Sequence, residues 1–95
     1  MFRSRLRPGE ETEYGEWAGR MLELARAMPG FVDFKTFQAD DGERVSVITF
    51  ANLDAQRAWR DHPEHRVAQQ LGRERFYQSY AIQVAEVIGE HRFPR

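Results

Sequence analysis

Two histidines, His62 and His65, flank Pro63 in the run Trp59-Arg60-Asp61-His62-Pro63-Glu64-His65-Arg66, and they are the mid-chain groups best suited to move a proton near neutral pH. A histidine facing a pocket could act as a general base on an acidic proton of a bound substrate. The same residues also suit a plainer role, because His62 falls at a helix boundary where capping is common. Trp59 offers either a flat wall for a planar substrate or a large core side chain that anchors its helix. Phe31, Phe34, Phe76, Tyr77 and Tyr80 could line an aromatic pocket, or serve as core and dimer seam. Tyr80 carries a hydroxyl that needs a partner when buried. Arg66, Arg73 and Arg75 read as a solvated helix face, from which one arginine could hold a substrate carboxylate or an anionic intermediate. The expected catalytic groups are therefore His62 and His65, with Trp59, Tyr80, Phe34 and Arg66 on the substrate.

Other chemistries lack their residues. Asp61, His62, Glu64 and His65 have a metal-ligand composition, but Pro63 breaks the helical phase that would converge them, so no metal is expected. There is no cysteine, which excludes thiolate sites, cysteine nucleophiles and disulfides. No Gly-rich phosphate loop, Ser/His/Asp context or paired-carboxylate signature is present. His91 is expected past the last strand and solvated.

These groups need a scaffold, and 95 residues suffice for one domain covering residues 1–95. Residues 1–7 read as a short first strand before Pro8-Gly9. From Glu10 the period becomes helical, with Tyr14, Trp17, Met21, Leu24, Ala25 and Met28 on one stripe, and Pro29-Gly30 stop the helix. Phe31 to Ala39 and Arg44 to Ala51, joined at Asp40-Asp41-Gly42, form a β-hairpin. Asn52-Leu53-Asp54 caps a short helix through Trp59, and Pro63 closes it and opens another that reaches Gly72 or slightly beyond. Phe76 to Ile88 is predicted as the last strand, and 90–95 as a tail. The order β-α-β-β-α-β predicts an α+β, ferredoxin-like, four-stranded antiparallel sheet with helices on one face.

Both faces of the predicted sheet carry apolar side chains. In the third strand Val45, Val47 and Thr49 oppose Ser46, Ile48 and Phe50. In the last, Tyr77, Ala81, Ala85 and Val87 oppose Tyr80, Ile82, Val84 and Ile88. One face is covered by helices and the other calls for a second layer, which predicts a homodimer packed through its sheets. With 14 basic against 15 acidic side chains, nucleic acid is not an expected partner. The N-terminus lacks an apolar h-region and no stretch approaches a membrane span, so a cytoplasmic location away from membranes is expected.

Met28-Pro29-Gly30-Phe31, the hairpin ending at Thr49-Phe50, and Ala58-Trp59-Arg60 followed by His62-Pro63-Glu64-His65 together resemble the antibiotic biosynthesis monooxygenase family. The resemblance implies a ferredoxin-like protomer, a dimeric α/β barrel, and a pocket between helices and sheet. It also implies candidate chemistry on a small aromatic substrate of phenolic, quinol or polyketide type, with no metal, flavin or other cofactor. Haem-degrading relatives use an Asn on the first strand, a Trp after the hairpin and a His about ten residues later. Trp59 matches, but position 69 is Gln69 and residues 2–7 contain no Asn, so haem degradation is not expected. The rival function is a non-catalytic dimeric module for a small ligand or protein partner, with a filled or closed pocket and both histidines exposed.

Overall fold

The computed structural model of the chain describes residues 1–94. It runs β1 (Phe2–Leu6), α1 (Glu11–Ala27), β2 (Phe31–Gln38), β3 (Arg44–Phe50), α2 (Leu53–Arg60), α3 (Pro63–Leu71) and β4 (Tyr77–Ile82). A π-helical turn at Gly72–Phe76 joins α3 to β4. All neighbouring strands are antiparallel, in the order β2-β3-β1-β4. This is the ferredoxin-like α+β arrangement that the hydrophobic pattern predicts.

Local chemistry sets the boundaries. Glu11 and Glu13 sit in the first turn of α1 and Arg26 in the last, each matched to the helix dipole. Arg75 ties that first turn to the π-helical turn by pairing with Glu13 at 2.5 Å. Gly30 takes the left-handed region at φ 83°, and a Cβ there would stand 2.7 Å from the Cβ of Ala55, so it both turns the chain and admits α2. Asn52 caps α2 by accepting from the Ala55 N–H at 2.8 Å. Pro63 takes the first position of α3, where its missing N–H costs nothing.

The two sheet faces are told apart by Arg44, whose guanidinium lies 5.5 Å from the Tyr14 ring centre on α1. Alternation then puts Arg44, Ser46, Ile48 and Phe50 on the helix-covered face, and the register adds Phe2 and Ser4 beside them. Val45, Val47 and Thr49 point the other way. On that open face β1 contributes Arg3 and Arg5, which pair with Glu43 at 2.7 Å and Asp41 at 2.8 Å.

The last strand differs from expectation in two ways. It runs from Tyr77 to Ile82 rather than Phe76 to Ile88, and Phe76 belongs to the π-helical turn. The ladder with β1 ends where the Gln83 N–H meets the Met1 carbonyl at 2.9 Å, and no strand lies beside the residues that follow. Val87 is 73% exposed and Ile88 96%. The second difference is one of parity: pairing steps from Arg5↔Ser79 to Leu6↔Tyr77, leaving Gln78 unpaired. This bulge returns Tyr77 to the face of Tyr80, with their rings 5.7 Å apart, where strict alternation predicts opposite faces.

Arg7 secures the junction. Its guanidinium donates to the carbonyls of Glu74 at 2.8 Å, Tyr77 at 3.0 Å and Arg73 at 3.2 Å, filling acceptors that the wide π-helical turn leaves open. Burial is nevertheless thin, with only Ala25, Trp59 and Phe76 as buried apolar side chains among the described residues. The chain exposes 7126 Å². A compact monomer of this mass is expected to expose about 5,700 Å².

Gly72 packs against the Tyr77 ring, where an added Cβ would meet Cε2 at 2.5 Å. Gly72→Ala is expected to lower the unfolding free energy by roughly 1–3 kcal/mol in urea titrations. Gly15→Ala, in α1 with no atom within 4 Å of the new Cβ, should raise it by about 0.5–1 kcal/mol. Equal effects from the two substitutions would contradict the packing described for Gly72.

Candidate functional site

Between the helix layer, the sheet and the segment that follows β4, which contributes Gln83 to Val87, Glu90 and Arg92, lies a cavity of about 1400 Å³ open to solvent. One wall is built from the end of α2 and the start of α3. Asp61 and His62 redirect the chain between the two helices, and His65, one turn into α3, comes back over Trp59. The two rings stack with centroids 4.1 Å apart and planes inclined by 15°. His65 Nδ1 lies 2.9 Å from the Trp59 carbonyl oxygen.

That contact defines the tautomer. A carbonyl oxygen only accepts, so Nδ1 carries the hydrogen, and a neutral ring then presents a basic lone pair at Nε2. Burial lowers the His65 pKa below its ordinary 6.5; the Trp59 carbonyl works against that shift and His62 works with it. The ring is thus neutral at pH 7, and no hydrogen-bond partner for Nε2 occurs among the described residues. Both features suit a general base.

His62 has a different job. Its Nδ1 accepts from the Glu64 N–H at 3.2 Å, capping α3, and the residue does not line the cavity. Arg66 is exposed, pairs with Asp61 at 2.8 Å and also lies off the cavity. Trp59, Phe34, Tyr80 and His65 do line it, so four of the six side chains expected in the site are brought together. The Tyr80 hydroxyl accepts from Arg73 Nη1 at 3.3 Å, which leaves its own proton free to donate.

Tyr77, weighed from sequence as a possible pocket or core residue, lines the cavity, and so do two polar side chains given no such place from sequence, Tyr14 and Arg44. Tyr14 reads as one member of an apolar helical stripe, and Arg44 as the first residue of a strand. The available signal is parity, since Arg44 shares the helix-covered face with Ser46, Ile48 and Phe50. Arg44 Nε is buried without a hydrogen-bond partner, an arrangement that costs about 1–3 kcal/mol or more. The Tyr77 phenol stacks edge-on against Tyr14 at 5.6 Å. Burial and then Tyr14 raise its pKa while the Arg44 charge opposes them, so the hydroxyl stays protonated and able to donate. Among the described residues no cluster of three or more His, Cys, Asp or Glu side chains is placed to hold a metal ion. Nor is any helix among them long and apolar enough to cross a membrane.

The sheet order and the one-sided helices define a ferredoxin-like α+β domain, with an open cavity between its layers. The chain belongs to the antibiotic biosynthesis monooxygenase family, whose model matches residues 1–71. It is 38% identical over 90 residues to YqjZ of Bacillus subtilis (strain 168), an uncharacterised protein, covering 95% of this chain and 79% of that one. Among solved structures it is similar to SnoaB, a cofactor-independent oxygenase from Streptomyces nogalater, with a TM-score of 0.69 and 17% identity over 94% of this chain and 93% of that one. It is also similar to the NE2512 protein of unknown function from Nitrosomonas europaea, with a TM-score of 0.74 and 16% identity over 96% and 88% of the two chains. At such identities the structural matches establish the fold.

The lowered His65 pKa links folding to pH. The unfolded chain takes up the proton first, so this contribution to stability is complete above about pH 6.5 and is lost as pH falls below it, until the folded ring also protonates. Melting temperatures recorded between pH 7.5 and 5 should fall less steeply in His65→Gln than in the wild type. Parallel curves would contradict a neutral buried ring.

Proposed function

We propose that this protein is a cofactor-independent monooxygenase acting on a small aromatic compound of phenolic, quinol or polyketide type, and that it works as a homodimer. The observation that carries this reading is the His65–Trp59 pair: a neutral imidazole, oriented by a backbone carbonyl, with a free lone pair on the wall of an aromatic cavity. His65 Nε2 removes the substrate's phenolic proton. The resulting anion passes an electron to dioxygen, and the radical pair closes a C–O bond at a ring carbon that bears hydrogen. The His65 imidazolium returns its proton to the peroxide, and the hydroperoxide breaks its O–O bond with loss of that C–H hydrogen as water to leave a carbonyl. Dioxygen is the oxidant, and one of its oxygens leaves as water. The stacked Trp59 holds the base in place, Tyr80 donates to the developing oxyanion, and Phe34 contacts the ring. His62 acts from outside as a positioning residue, by capping the helix that carries His65.

Support also comes from the fold shared with SnoaB, described as a cofactor-independent oxygenase. A non-catalytic module predicts a closed cavity and two exposed histidines, whereas the cavity is open and both rings are half-buried. Haem degradation still lacks its Asn and its His, since residues 2–7 contain no Asn and position 69 is Gln69.

The dimer is argued from surface. The excess of about 1,400 Å² over a compact monomer is the amount each partner buries in an extensive homodimer interface. Part of it is the open sheet face, where Val45, Val47 and Thr49 are only half-buried and Phe37 is 49% exposed.

Oxygen uptake with an anthrone or a quinol tests the reaction. Relative to wild type, His65→Ala is expected to lower kcat by about 10²-fold or more, and His62→Ala to keep most of the activity. The wild-type profile should rise to a plateau with an apparent pKa below 6.5. Full turnover in His65→Ala would remove the proposed base. For assembly, sedimentation equilibrium should give twice the 11.2 kDa chain mass, and Val47→Glu should return the single-chain mass. A wild-type mass of one chain would reject the dimer.

A further inference from the structure

We infer that the Arg44 end of the cavity is an anion subsite that takes the carboxylate of an aromatic acid. This deepens the proposed aromatic-substrate reading and rests on the same cavity. The inference begins with where Arg44 is held. β3 is an inner strand, and Arg44 is flanked on both sides, by Gln38 of β2 and Ser4 of β1, so its backbone has no free edge to which the side chain could escape. Its parity turns it toward the helices, where the guanidinium lies against the Tyr14 ring and lines the cavity.

The charge there is unanswered. Arg3, Arg5, Arg20, Arg60, Arg66 and Arg75 each hold a carboxylate within 4.0 Å, but Arg44 pairs with none among the described residues. Carboxylates are not scarce in this chain, which has 15 acidic against 14 basic residues. Arg44 Nε is buried and lacks an acceptor. A guanidinium on a sheet's inner face without a carboxylate is a cost to the empty protein, and a carboxylate brought by a ligand to the cavity side of the guanidinium answers the charge with a planar, two-toothed pair of hydrogen bonds.

The surroundings narrow the ligand further. Tyr77 lines the same cavity, edge-on to the Tyr14 ring that Arg44 lies against. Phe2, Tyr14 and Tyr77 meet edge-on, with centroids 5.1 Å and 5.6 Å apart, so the space next to the charge is walled by rings and favours a flat ligand. Ser46, two residues along the same face, bonds to Thr36 at 2.9 Å and adds a hydroxyl to the floor. One unpaired guanidinium with neutral donors around it matches a planar monoanion better than a phosphate. The same cavity carries the His65–Trp59 wall, so a ring bearing both an acidic group and an oxidisable hydroxyl satisfies both ends.

Equilibrium binding of 6-hydroxy-2-naphthoate, whose carboxylate and hydroxyl stand at opposite ends of the ring system, and of its uncharged carboxamide, followed by calorimetry, tests the subsite without depending on turnover. The wild type should bind the acid at least about tenfold more tightly than the amide. Arg44→Gln should bring the acid to within about twofold of the amide. Arg44→Lys should keep part of the preference, as a point charge without the fork. Equal affinities in the wild type, or a preference surviving in Arg44→Gln, would overturn the subsite and leave the aromatic cavity standing. Binding of neither compound would overturn both. The wild-type comparison stands even if the Arg44 variants fail to fold.

Discussion

Much of this molecule's chemistry depends on one backbone oxygen, the carbonyl of Trp59. It lies at the end of α2, where carbonyls have lost their helical partners. The His62 N–H reaches it at 3.1 Å and the His65 ring at 2.9 Å, so the link between two helices and the orientation of the proposed base are fixed at one atom. Pro63 makes this possible. Without the break, α2 would continue as one helix, and residues six apart would not lie with their rings stacked.

The sheet supplies the complementary constraint. Its helix-covered face is not a plain apolar floor, because Arg44, Ser46 and Ser4 stand among the aromatic side chains. A floor of that kind packs poorly against helices alone and leaves room between the layers. The thin core and the large cavity are two descriptions of the same arrangement: volume that a tighter domain would fill with its own side chains is left open. Stability not found in the core is instead distributed over ion pairs at the element ends, such as Arg75 with Glu13, and such exposed pairs are individually weak.

Much of the fold was legible because it rests on local chemistry. The apolar stripe of α1, the hairpin turn at Asp40-Asp41-Gly42, the Asn52 cap and the Pro63 break each declare themselves within a few residues. The bulge at Gln78 does not. It adds one unpaired residue without a glycine or other local mark, and that single residue moves Tyr77 to the other face. The last strand was over-extended for a related reason: Val84 to Ile88 has strand composition, but strand formation needs a neighbour that the sequence pattern cannot supply. Trp59, Phe34, Tyr80 and His65 line the cavity because they stand on elements facing the helix–sheet space, and which of the two histidines does so is decided by the turn at Asp61-His62 rather than by the pattern. Arg44 was missed because an arginine at a strand's first position ordinarily marks a solvated end.

The grip of Arg7 on the π-helical turn also affects how the cavity can accommodate a guest. Its three acceptors lie in the segment that leads into β4, while Arg7 itself extends from β1, so the two strands and the turn are fastened as one plate. Local opening takes place where backbone bonds are fewest and most solvated. The tyrosine end of the cavity therefore rests on the more firmly bonded part of the fold, and under the proposed reading adaptation to a substrate's size falls to the helices above and to the unpaired segment after Gln83. The protein would distinguish guests by shape at one end and yield to them at the other.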